Sequence, residues 1–150
     1  MMKSCHTAGF LAIVALLVST PTLRAAEQVS KGLFTENALS GYDPVAYFTE
    51  GRPVKGSPDY IYHWHNATWF FASAEHRNEF RDHPESFAPQ YGGYSAAALA
   101  DGRLERSDPT HWQIFQEKLY LNDPASQMTW QQNIPQLIKK ADENWPKMVE

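Results

Sequence analysis

Between positions 60 and 71 the chain places a large aromatic ring at every second residue on either side of a short polar break. Tyr60, Tyr62 and Trp64 lead to Asn66-Ala67, and Trp69 and Phe71 follow. A period of two with β-favouring residues is the mark of a half-buried strand, and two such runs around a tight break read as a hairpin. The expected strands are residues 60–65 and 68–72, with Asn66-Ala67 as the turn, because Asn tolerates the left-handed backbone that tight hairpins need. In that register Trp64 faces Trp69 and Tyr62 faces Phe71, so one face is wholly aromatic. Ile61, His63, His65, Thr68, Phe70 and Ala72 fall on the other face. A slip of one residue would exchange the two faces, which is why the pattern constrains the fold so strongly.

A second hairpin is expected around Gln116-Glu117, pairing Trp112 with Leu121 and Ile114 with Leu119 to give an apolar face. Neither turn residue favours the left-handed region, so a longer loop is the alternative. Helix signals occupy the rest of the chain. Asp43 and Pro44 form a cap and first turn leading into residues 45–48, with Gly51 as the stop. Ser73 caps a helix that passes Phe80 and ends near His83, ahead of Pro84. Residues 94–100 read as a short helix of small residues. Asp123-Pro124 opens another helix through Met128 and Trp130. The last begins near Pro135, places Leu137, Ile138, Ala141 and Trp145 on one stripe, and is expected to stop at Pro146. The fold class is therefore α+β, with two antiparallel aromatic or apolar β-hairpins, short helices between them and a C-terminal helical pair. No internal repeat, low-complexity stretch or linker is visible, so residues 41–150 read as one domain behind a polar lead-in over 26–40.

Residues 1–25 read as a secretory signal peptide. Lys3 supplies a positive start, residues 9–18 form an uncharged apolar run, and Ala25 and Ala26 offer small residues for cleavage after position 25 or 26. The run is about half of the ~20 residues that span a bilayer, so no stable membrane anchor is expected. The single cysteine, Cys5, precedes the apolar run and is not placed for lipid modification. The expected localisation is export, to the periplasm or the medium, with a cysteine-free mature chain that is held by packing alone and excluded from thiol chemistry. Thirteen Lys and Arg against 17 Asp and Glu give a formal net charge of −4. Loss of Lys3 and Arg24 with the leader makes the remainder more acidic, which excludes nucleic acid as a partner on charge.

Five ordered segments resemble the exported branch of the YHS-domain family: residues 41–48 (GYDPVAYF), 71–75 (FASAE), 88–94 (APQYGGY), 118–122 (KLYLN) and 141–146 (ADENWP). The resemblance implies an exported single domain whose biochemical role is largely unassigned. Relatives attached to metal-transporting ATPases and to multicomponent hydroxylases suggest a metal-related role. The family usually follows Tyr-Gly-Gly-Tyr with cysteine or selenocysteine, and here that position is Ser95.

Tyr91, Gly92, Gly93, Tyr94 and Ser95 are thus the candidate ligand-binding segment. Glycines let a ligand approach the backbone, and tyrosines offer hydroxyls. Ser95 sits at an expected helix start, where a thiolate would be stabilised by the helix end and a serine hydroxyl gains little. No Ser-His-Asp signature or Gly-x-Ser-x-Gly elbow surrounds it. His63 and His65, two apart on one strand, are the candidate ligands for a transition metal, without a cysteine or acidic partner in the same motif. The expected function is a non-enzymatic module binding a small ligand, a metal or a partner protein. An enzymatic or redox accessory role centred on residues 92–95 is the alternative.

Overall fold

The computed structural model describes residues 37–149. The expected signal peptide and most of the expected lead-in lie outside the described residues. Strand β1 (Ser57–Trp64) pairs antiparallel with β2 (Ala67–Phe71), and β3 (Asp108–Phe115) pairs antiparallel with β4 (Lys118–Asn122). Around them stand α1 (Ala46–Thr49), α2 (Ala74–Asp82), α3 (Pro84–Phe87), α4 (Ala96–Ala100), α5 (Gln127–Gln132) and α6 (Ile134–Val149). The α+β class is as the sequence implied. No helix among the described residues is long and apolar enough to cross a membrane.

The second hairpin has the expected register, Trp112 opposite Leu121 and Ile114 opposite Leu119. Its turn is tight, with Gln116 and Glu117 both left-handed at φ 49° and 60°. The first hairpin departs from expectation by two residues. Its turn is His65-Asn66 (φ 50° and 58°), so Trp64 opposes Ala67 and Tyr62 opposes Trp69. A shift of two preserves which side chains share a face, so Trp69 and Phe71 are buried as the alternation required. The physical reason is the turn: both of its residues must be left-handed, and Asn66 fits its second position with Ala67 released into the strand.

The caps expected at Asp43 and Ser73 form, whereas α5 starts at Gln127 and not at Asp123-Pro124. The Asp43 carboxylate accepts from the backbone N–H of Val45 at 2.8 Å, and the Ser73 hydroxyl accepts from His76 N–H at 3.1 Å. Pro146 does not stop the last helix, which runs to Val149. The proline falls in the final turn, where its missing N–H costs one bond and little helix remains to be kinked. Met128 is exposed, while Trp130 of the same helix is fully buried.

A repeat that the sequence hides emerges in the backbone. About fifty positions after β1 and β2, β3 and β4 reproduce their lengths, their two-residue left-handed turn and their register break near the first strand's start. Each hairpin is preceded by three consecutive residues with positive φ, Leu39-Ser40-Gly41 in the first half and Tyr91-Gly92-Gly93 in the second. A tyrosine then forms an isolated bridge, Tyr42 to Lys55 and Tyr94 to Arg106. A capping residue follows, Asp43 or Ser95, and its N–H bonds the Val54 or Glu105 carbonyl at 2.8 and 2.9 Å. The expectation of no internal repeat is corrected at this level: two half-units share a backbone plan with scant common sequence.

The second hairpin joins the halves. A first core gathers Val45, Tyr47, Trp69, Phe71 and Phe80, and a second gathers Tyr91, Leu99, Trp130, Leu137 and Ala141. β4 lies between them, sending Leu119 and Leu121 into the first and Tyr120 into the second. Alternation along a strand buried on both faces is what lets five residues serve two cores.

Candidate functional site

The Tyr-Gly-Gly-Tyr-Ser segment is mostly interior. Tyr91 is buried, and its hydroxyl donates to Asp142 Oδ1 at 2.7 Å. Burial first, and the Asp142 carboxylate second, push that hydroxyl well above the ordinary tyrosine range. Gly93 has φ +83°, and a Cβ there would press on Pro89 Cγ at 3.3 Å, so the position takes glycine for both conformation and space. Tyr94 packs its ring on Trp145 with centroids 6.1 Å apart.

Ser95 is fully buried at the start of α4. Its Oγ donates to Asp123 Oδ2 at 2.7 Å and accepts from the N–H groups of Asp123 and Ala98 at 3.1 and 3.4 Å. Burial alone would raise the Asp123 carboxyl, but hydrogen bonds from Ser126 and Ser95 outweigh it and hold the carboxyl below its usual range. The hydroxyl therefore ties the strand end to the helix start. A thiol in its place would face a carboxylate across hydrogen-bond distance, the reverse of the anion-stabilising setting expected from a helix N-terminus alone.

The histidine pair separates. His63 stays on the outer face, its Nδ1 3.2 Å from Thr68 Oγ1. His65 belongs to the turn, and its ring lies stacked on Trp64 with centroids 3.8 Å apart. Among the described residues no group of three or more His, Cys, Asp or Glu is placed to hold a metal ion.

Two arrangements were not legible in the motifs. The first is a chain of polar contacts in which Asp43 Oδ2 meets His76 Nδ1 at 2.6 Å and His76 Nε2 meets Thr49 Oγ1 at 3.3 Å. The connectivity matches an acid–imidazole–hydroxyl relay. Asp43, however, also accepts from Val45, Ala46 and Ala72 N–H groups, and exposed Thr49 donates to the Val45 carbonyl within its own helix. The carboxylate is committed to the backbone, and the cluster reads as a fold junction.

The second arrangement is a cavity of about 250 Å³ at the seam between the halves. The tip of the first hairpin contributes Trp64, His65 and Trp69. The motif segment contributes Pro89 and Gly92, and α6 contributes Trp145. Trp64 and Trp69 meet at 57° with centroids 5.8 Å apart. Trp145 is held by Tyr91 and Tyr94, its centroid 6.0 and 6.1 Å from theirs. Of the five motif residues, Gly92 alone is on the wall, and Tyr91 and Tyr94 act by setting Trp145. His65 is on the wall and His63 is not. The signal for this site was present in the sequence as three tryptophans, but nothing in their spacing joins Trp145 to Trp64. Comparison of the chain with family models, with curated proteins and with solved structures finds no match.

Proposed function

We propose that this chain is an exported, YHS-like, non-enzymatic module that holds a small ligand in the tryptophan cavity. Five family-like segments support the family reading, and the leader-like N-terminus supports export. The observation that carries the binding reading is the cavity itself. Concave, mostly apolar sites at the junction of two units, with a few polar groups, are where small molecules bind. At about 250 Å³ it suits a compact ligand or the head group of a larger one.

The protein carries its own controls. Trp64, Trp69 and Trp145 line the cavity, whereas Trp112 packs on the first core and Trp130 is sealed in the second. Titration with neutral aromatics, aliphatic alcohols and organic cations, followed through the five indole N–H signals by NMR, tests the reading. Shifts confined to the three lining tryptophans are expected. Silence from every compound, or shifts centred on Trp112 and Trp130, would overturn it. For export, the intact mass of secreted protein is expected to begin at Ala26 or Glu27. Full-length chain retained in the membrane fraction would refute that part.

A further inference from the structure

We infer that the cavity selects a small organic cation with a rounded head, of the trimethylammonium class. This rests on the reading of the cavity as a ligand site and names the chemistry it takes. The walls decide the shape. A flat aromatic guest needs two nearly parallel faces, but Trp64 and Trp69 stand at 57°. The one nearly parallel pair, Trp64 and His65 at 25°, is already closed on itself at 3.8 Å. Trp145 comes from another element, α6, and is fixed there by two tyrosines. A cavity lined by two mutually tilted rings of the hairpin and by a third ring from α6 fits a globular head better than a flat one.

The walls also decide the charge. Among the described residues the wall carries no Lys or Arg to receive an anion, and no Asp or Glu to form a salt bridge. The indole N–H of Trp69 is spent on the Trp64 carbonyl at 3.0 Å, which removes a donor that an anion or carbonyl would use. Apart from the His65 imidazole the lining side chains are aromatic and apolar, and tryptophan is the strongest of the aromatic side chains in attracting a cation to its face. A hard metal ion finds one imidazole, that of His65, and no second ligating side chain on the wall. A cation whose charge is spread over methyl groups loses little on leaving water and gains from both the apolar wall and the rings. The chain's formal net charge of −4 draws it in the same direction.

The test compares choline with 3,3-dimethyl-1-butanol, its neutral isostere, by calorimetry on the mature protein. Choline is expected to bind at one site with at least about tenfold higher affinity than the alcohol, the step that cation–π attraction predicts. Trp145→Phe, which keeps an aromatic ring in the core while weakening the cation's wall, is expected to lower choline affinity more than alcohol affinity. Equal binding of the two compounds overturns the cation inference while leaving the cavity as a ligand site. Absence of choline binding overturns it as well. If every neutral probe is also silent in the indole titration, the site reading falls with it.

Discussion

The two half-units solve one structural problem with opposite chemistry. In the first, the acid stands at the helix cap: Asp43, fully buried, takes the N–H of Ala72, the residue that follows β2. In the second, a hydroxyl stands at the cap and the acid stands after the strand, as Ser95 accepts from Asp123 N–H and donates to the Asp123 carboxylate. One carboxylate locks each strand end to each helix start, and the backbone plan tolerates it on either side. The burial differs, however. Asp43 is enclosed and serves three backbone donors and His76, whereas Asp123 is only partly buried and shares its load with Asn122, whose side chain accepts from Ala97 N–H at 3.0 Å. The first junction concentrates its bonds on one group, and the second distributes them.

Concentration should make the first junction the more fragile. Asp43→Ala leaves buried donors without an acceptor and is expected to cost about 3–5 kcal/mol in urea melts. Ser95→Ala should cost about 1–2 kcal/mol, as for the loss of a cap and its hydrogen bonds. Equal losses at the two sites would break the contrast.

Packing offers a second probe within the first half. Trp69, almost wholly enclosed with its ring 4.8 Å from Phe80, should cost about 3–5 kcal/mol on replacement by alanine. His63→Ala, on the outer face of the same hairpin, should stay within about 0.5 kcal/mol. A harmless Trp69→Ala beside a damaging His63→Ala would invert the assigned faces.

Acid titration separates the junctions by their pH response. The Asp123 carboxyl is held below its ordinary value in the folded chain. Its contribution is therefore fully present above the unfolded value of about 3.9 and is lost as pH falls through the lower folded value. Asp123→Asn is expected to flatten that part of the stability–pH curve, and an unchanged acid limb would remove Asp123 from the account. Ser95→Cys probes the same spot from the other partner. Burial and the facing carboxylate should hold the new thiol above the reference value of about 8.5. Alkylation rates measured against pH would show a reactive thiol of lowered pKa if the helix end dominates instead.

The smallest effect lies in the turns. Glu117→Gly should stabilise by about 1 kcal/mol, because a glutamate at φ 60° carries the left-handed penalty that glycine lacks. Asn66→Gly should gain less, since Asn already tolerates φ 58°. Thermal midpoints that rank the two the other way would show that turn strain is not what distinguishes the hairpins.

By itself the sequence determined the faces. Alternation at Tyr62, Trp64, Trp69 and Phe71 assigned the buried side of the first hairpin even though the register lay two residues away, because period-two patterning is blind to even shifts. It also determined the caps at Asp43 and Ser73, the second hairpin's register and the apolar stripe of α6, all of which depend on neighbours within a few residues. Only the tertiary structure decided that Trp145 and Trp64 line one cavity, that Ser95 faces Asp123, that Asp43 holds His76, and that two unlike half-sequences share one backbone plan. Those contacts join residues far apart in the chain. Local propensity carries no information about them, because their partners are chosen by how β4 packs between two cores.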